Sequence, residues 1–354
     1  MYKGSIGFHI GMSILNRYSL PELLDSAGDA IKKLGDYNFR RVWFNDNLEY
    51  RNVIVAATAL LSRYDIEVGT SVAVPHIRNP IDLASAVATL TELRPGRKVG
   101  LGIGAGSASL TGQKIALTRK NEMVGELASF IKGLLDGNEV KVQDYPLISE
   151  YFHFKPNSFK LRFSKLSEVD LLYGYSGMGS KTTSMVAKNM DGVMIQTRLL
   201  KIDDIEEMVT RLEAERRKIG VKKELRKILT ISASVSRSRE AALEGGRRFA
   251  GQMIGSTPLE LLQKRGITSE DKEKLVSVFS KNEGLSAGAG VTPDSLVKKV
   301  VLAGTPSEVL EEISDLFEFA EKFGFEEVMI GPPLGPDPAE VVDVWAKDIL
   351  PSIL

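Results

Sequence analysis

The chain has 354 residues, 43% hydrophobic and 26% charged, with 46 basic residues against 46 acidic ones. That balance creates no overall field to draw nucleic acid or an anionic membrane surface, while the apolar share suffices for a sizeable core. The lack of cysteine excludes disulfides, thiolate zinc sites and cysteine nucleophiles, and with the many Glu, Lys and Arg it fits a reducing cytoplasm and hints at a hot habitat. The opening "MYKGSIGFHIGM" has no signal core, and no apolar run approaches the ~20 residues of a membrane span. A soluble cytoplasmic protein is expected.

In chain order, short apolar runs alternate with longer helical ones. "SIGFHI" (5–10) reads as a strand, and "SLPELLDSAGDAIKKLG" (19–35) as an amphipathic helix that Ser19 is placed to cap. "RRVWFND" (40–46) and "NVIVAATALLSRY" (52–64) repeat the unit, as do "IEVGTSVAV" (66–74) and "PIDLASAVATLTEL" (80–93). "KVGLGIGAG" (98–106) precedes a helix near 119–136, "EVDLLYGYS" (168–176) precedes "SKTTSMVAKN" (180–189), and "DGVMIQT" (191–197) precedes a charged helix near 202–218. "KILTISASVS" (227–236) is a seventh strand and "FEEVMIGPP" (325–333) an eighth, with a helix from about Ser307 between them. Such alternation implies parallel strands joined by crossover helices, and eight units predict a closed (β/α)8 TIM barrel. Residues 137–167 read as an inserted hairpin or loop and 238–300 as extra helices, both excursions on a single domain spanning 1–354. The basic run "ERRKIGVKKELRK" (215–227) reads as a solvated helix and turn.

In this fold the site lies at the C-terminal ends of the strands. Those ends carry His9, Asp46 with Asn47, the cluster Pro75 to Pro80, "GAGS" (104–107), "GYSGMGS" (174–180), Gln196, Ser234 and "GPPLGPDP" (331–338). Glycine and small polar residues dominate, with few acids or bases, which suits a site shaped around a flat polar cofactor that brings its own reactivity. "GYSGMGSKTT" follows a strand and opens a helix, so its backbone N–H groups suit a phosphate, although its spacing is neither a Walker A loop nor GxGxxG. Gly100, Gly102, Gly104 and Gly106 share one strand face, where they serve either packing or, near the strand end, a cofactor. His9 is a functional candidate or a polar plug. His76 and His153 read equally as plain surface residues or as functional ones, Asp46 could equally cap the next turn, and the three histidines are too scattered for a metal site.

Five segments together resemble the bacterial luciferase-like superfamily of flavin and deazaflavin oxidoreductases: "VWFNDN" (42–47), "GTSVAVPHIRNP" (69–80), "ATLTELRPGRKVGLGIGAG" (88–106), "LLYGYSGMGSKTTSMVAKNMDGVMIQT" (171–197) and "AGTPSEVLEEI" (303–313). "GTSV" and "IGPPLGPDPAE" (330–340) are most similar to the branch that uses coenzyme F-420, the methylene-tetrahydromethanopterin reductases in particular. The resemblance implies hydride transfer between F-420 and a small C=N or C=C acceptor. Ser71 and Val72 would back the deazaflavin ring through a non-prolyl cis peptide and a bulge, with Asp46 near the ring's polar edge. Gly104, Ala105, Gly106 and Ser107, with Tyr175, Ser176, Gly177, Met178, Gly179, Ser180 and Gln196, would line the cofactor and its phosphodiester tail. His9, Asp46 and Asn47 are the catalytic candidates. Members that oxidise alcohols carry a histidine where this chain has Asn47, and the sugar-phosphate enzymes a glutamate where it has Ser107, so neither oxidation is expected. An FMN-dependent monooxygenase and a non-catalytic flavin-binding relative are the alternatives. The expected partner is a small-molecule substrate, with neither nucleic acid nor membrane, in a homodimer or higher homo-oligomer.

Overall fold

Eight parallel strands alternate with helices along the chain: β1 (Ser5–Ile10), β2 (Phe39–Phe44), β3 (Glu67–Ala73), β4 (Val99–Ile103), β5 (Val169–Tyr175), β6 (Gly192–Gln196), β7 (Arg226–Val235) and β8 (Glu327–Leu334). The computed structural model describes residues 2–12, 17–47, 50–104, 120–163, 168–175, 179–197, 200–281 and 291–354. The fold class is the (β/α)8 barrel that the alternation predicts. Two compact units divide it, one of residues 1–40, 195–206 and 228–354, the other of 41–194 and 207–227.

In the first unit, β8 lies parallel between β1 and β7, and a three-residue strand, Leu302–Gly304, flanks β7. That short strand went unread in the sequence, three residues being too few to show a period. Helix α1 (Leu20–Lys33) starts with a full capping box: the Ser19 hydroxyl accepts from the Glu22 N–H, and the Glu22 carboxylate accepts from the Ser19 N–H at 2.6 Å. The excursion after β7 forms helices Arg239–Ser256, Leu259–Gln263, Ser269–Lys281 and Asp294–Val300, around a separate apolar cluster that includes Phe249, Ile254, Leu275 and Val297.

In the second unit, β2, β3, β4 and β5 pair in that order, in parallel, as connected βα units require. Trp43 fills the layer that two neighbours leave empty: a Cβ on Gly69 would lie 2.3 Å from its ring, and one on Gly100 2.6 Å. A Cβ on Gly102 would lie 2.2 Å from the Thr70 carbonyl oxygen, so Gly100 and Gly102 serve packing. Below this layer the strand starts carry buried charge. Arg41 is 1% exposed, donates from Nε to Glu67 Oε2 at 3.1 Å and stacks over Trp43 at 4.9 Å. Asp170, buried beside it, accepts from Arg226 at 3.0 Å and Lys98 at 3.3 Å. The excursion over 137–167 does contain a hairpin, Val140–Lys141 paired antiparallel with Ser158–Phe159, with helix Pro146–Tyr151 between.

The run 215–227 is not wholly solvated: Arg216 is buried, its Nη1 donating to the Met190 carbonyl and its Nη2 to that of Lys223, both at 2.8 Å. Burial lowers the pKa of its guanidinium, and the nearby Asp191 opposes that shift. It ties off the C-terminus of helix Ser180–Asn189, where carbonyls lack helical partners.

Candidate functional site

The residues of "PHIRNP" divide several tasks where β3 ends. Pro75–Ile77 makes one 3-10 turn, Asn79 accepts from the Ile81 N–H at 2.9 Å as a helix cap, and Pro80 opens helix Pro80–Leu93 without needing a donor. His76 is buried rather than at the surface: its carbonyl accepts from the Tyr151 hydroxyl at 2.9 Å, and the two rings meet edge to face at 5.8 Å. Burial raises the Tyr151 pKa, which keeps the hydroxyl protonated as that donor. The excursion over 137–167 thereby braces the β3 exit.

Asp46 lies two residues past β2, and among the described residues its carboxylate caps no turn or helix. Its carboxylate takes both hydrogen bonds of a fork from Arg78, Nε at 2.6 Å and Nη2 at 2.7 Å, while its N–H donates to the Val72 carbonyl at 3.3 Å. The hydrogen bond to Asp46 raises the Arg78 pKa against the opposing effect of burial, so the guanidinium stays charged. Neighbouring Asn47 is buried. In the sequence Arg78 stands only as one member of the strand-end cluster Pro75 to Pro80, and nothing local pairs it with Asp46.

The Ser71–Val72 peptide is cis, as expected, and the β3–β4 register shifts between Thr70 and Ala73. The Val72 side chain fills space left by two glycines. A Cβ on Gly104 would lie 2.7 Å from Val72 Cγ2, and one on Gly174 2.3 Å from Cγ1. Ser71 and Val72 both remain half-buried. Tyr175 ends β5, and Gly179 caps helix Ser180–Asn189 with no side-chain bond to its first N–H groups. Among the described residues nothing lies within 4 Å of a Cβ added at Gly179, and Ser180 and Lys181 open on a cavity of about 890 Å³. Ala105, Gly106, Ser107, Ser176, Gly177 and Met178 lie outside the described residues.

In the other unit, His9 is the penultimate residue of β1 and 2% exposed. Gln196 ends β6; its Nε2 donates to Ser232 Oγ at 2.7 Å and lies 3.9 Å from Met253 Sδ, so the excursion over 238–300 reaches a strand-end residue. Ser234 Oγ donates to the Ala242 carbonyl at 2.6 Å, an anchoring bond for the helix after β7. In "GPPLGPDP", the Pro332–Pro333 peptide is cis, and Leu334 and Gly335 hold φ values of 73° and 118°. Among the described residues no group of three or more His, Cys, Asp or Glu could hold a metal, and no helix is long and apolar enough to cross a membrane.

The second unit therefore brings Asp46, Ser71, Val72, Gly104 and Gly174 to adjoining strand ends, with few groups able to move a proton. The donor set fits a flat ring with an anionic tail: a branched apolar wedge over two glycines, and an uncapped helix start for phosphate oxygens. Related proteins have the same extent. A 5,10-methylenetetrahydromethanopterin reductase of Archaeoglobus fulgidus is 30% identical over 332 residues, 91% of this chain and 94% of that protein. One from Methanolobus tindarius is 25% identical, covering 91% and 97%. Among solved structures, the coenzyme F420 dependent tetrahydromethanopterin reductase of Methanopyrus kandleri superposes over 99% of both chains, with TM-score 0.78 at 18% identity. An F420-dependent secondary alcohol dehydrogenase in complex with an F420–acetone adduct gives TM-score 0.69 at 20% identity over 99% of both chains. Residues 9–320 match the family model described as luciferase-like monooxygenase, and the chain belongs to that luciferase-like family.

Proposed function

We propose that this protein is a coenzyme F-420-dependent oxidoreductase that transfers a hydride between the deazaflavin and a small organic acceptor. Methylene-tetrahydromethanopterin or a related C=N or C=C compound is the candidate acceptor. The observation that carries this reading is the Val72 wedge above Gly104 and Gly174, a surface for the back of a flat ring, in a chain 30% identical to a methylenetetrahydromethanopterin reductase. When bound, F-420 would supply the carbon that carries hydride. The chain's own part is to hold and shield. Ser71 and Val72 back the ring, Asp46 sits by its polar edge, and Gly179, Ser180 and the helix start receive the phosphodiester tail. Asn47 has no proton to exchange near neutral pH, which suits hydride transfer to an unsaturated carbon better than alcohol oxidation.

Side-by-side absorbance titrations with F-420 and FMN test the reading, followed by oxidation of reduced F-420 on adding methylene-tetrahydromethanopterin. F-420 binding with FMN ignored is expected. Tight FMN binding with NADH-dependent oxygen uptake would overturn the reading in favour of the monooxygenase alternative.

Two substitutions probe its parts. A Gly179→Val protein meets no steric obstacle among the described residues, so it should melt like the parent yet bind F-420 about tenfold more weakly, because a branched side chain then stands where phosphate approaches the N–H groups. Parent affinity in that variant removes the phosphate role. His9→Ala should retain F-420 and turn over at least about tenfold more slowly, the reach of one proton-handling group. Unchanged steady-state turnover makes His9 a plug in β1.

A further inference from the structure

Asp46 is 3% exposed, and one guanidinium occupies both of its carboxylate oxygens. With both oxygens engaged as acceptors of the Arg78 fork, Asp46 is not placed to donate to the carbonyl oxygens of a heterocycle's polar edge. Arg78 can. Its Nε and Nη2 are committed to Asp46, whereas Nη1 has no partner among the described residues, and the side chain is 14% exposed. The paired charges cancel, so the unit offers a donor without a field to attract an anion. That combination selects a neutral acceptor, a ring carbonyl or ring nitrogen, over a phosphate or carboxylate.

The placement is fixed from three sides. The Asp46 N–H holds the Val72 carbonyl, which sets the pair beside the bulge in β3. Arg78 directly follows the 3-10 turn Pro75–Ile77, and Tyr151 holds that turn through the His76 carbonyl. A guanidinium gripped as a planar fork has little rotamer freedom left, so Nη1 would need no further ordering when a ligand arrives.

We propose that Arg78 is a cofactor-binding residue: its Nη1–H donates to a neutral carbonyl or ring nitrogen on the polar edge of a deazaflavin-type heterocycle. Asp46 acts as the residue that orients the guanidinium, not as the ring's own partner. This rests on reading the chain as an F-420 enzyme.

Two variants test it. Arg78→Lys keeps a cation against Asp46 but loses the planar fork, and the double variant Asp46→Asn/Arg78→Met leaves no buried charge unpaired. Each is melted, titrated with F-420, and its bound F-420 absorption band is compared with that of the free cofactor. Both should melt near the parent and bind F-420 at least about tenfold more weakly, as loss of one charged hydrogen bond requires. The band shift seen on binding to the parent should also shrink, because a donor on the ring edge polarises the chromophore and a merely structural arginine does not. If one variant melts early, the other is read alone. Parent affinity overturns the proposal and leaves the F-420 reading standing, as does weaker binding with an unchanged band. A parent that fails to bind F-420 overturns both.

Discussion

Replacing Arg41 with methionine is expected to lower the unfolding free energy by about 3–5 kcal/mol, the usual cost of breaking a buried ion pair from one side. Glu67 loses the donor of two hydrogen bonds while its carboxylate stays buried, and the ring of Trp43 loses the cation above it. Asp170 is better protected, since Arg226 and Lys98 still reach it. The cost should therefore fall mainly on Glu67, and Arg41→Met/Glu67→Gln should regain much of the loss. Guanidinium chloride unfolding of the three proteins at neutral pH measures this. A single variant within about 1 kcal/mol of the parent would show the charged layer to be energetically neutral.

Substituting Gly174 with alanine is expected to raise the F-420 dissociation constant by about ten- to a hundredfold. The new Cβ would stand 2.3 Å from Val72 Cγ1, so one of them must move. Overpacking of this kind costs about 1–3 kcal/mol, and here it falls on the residue proposed to back the ring. Val72→Ala in the same chain removes the methyl that the new Cβ meets, and the double variant should recover most of the affinity. Fluorescence titration of the four proteins completes the cycle. Additive losses would mean that Val72 and Gly174 act separately.

Most of the architecture was legible because period carries it. The apolar runs 5–10 and 66–74 became β1 and β3, and "SKTTSMVAKN" became a helix over the same ten residues. The Ser19 cap was legible because capping is local, its partner lying three residues away. The site was legible as a set of strand ends, and its pairings were not. Asp46 and Arg78 are 32 residues apart, and their meeting depends on the β2–β3 register that sets Phe44 beside Thr70, hence Asp46 near Val72. Charge was misread for a related reason. Arg216 and its neighbour Arg217 look alike in a charged helix, yet only Arg216 turns inward to two carbonyls. Composition cannot tell which of two adjacent arginines faces in, because helix phase and an awaiting acceptor decide it.

The contact between Gln196 and Met253 ties the end of β6 to oxidative damage. A chain with ten methionines and no cysteine confines sulfur oxidation to thioethers. Met253 Sδ is a weak acceptor 3.9 Å from Gln196 Nε2, while Ser232 Oγ holds that nitrogen at 2.7 Å. A sulfoxide at Met253 would place a polar S=O beside the same amide and compete with Ser232 for it, turning Gln196 away from its present orientation at the end of β6. Air-aged preparations would then lose the strand-end geometry without unfolding, and methionine sulfoxide reductase would return it.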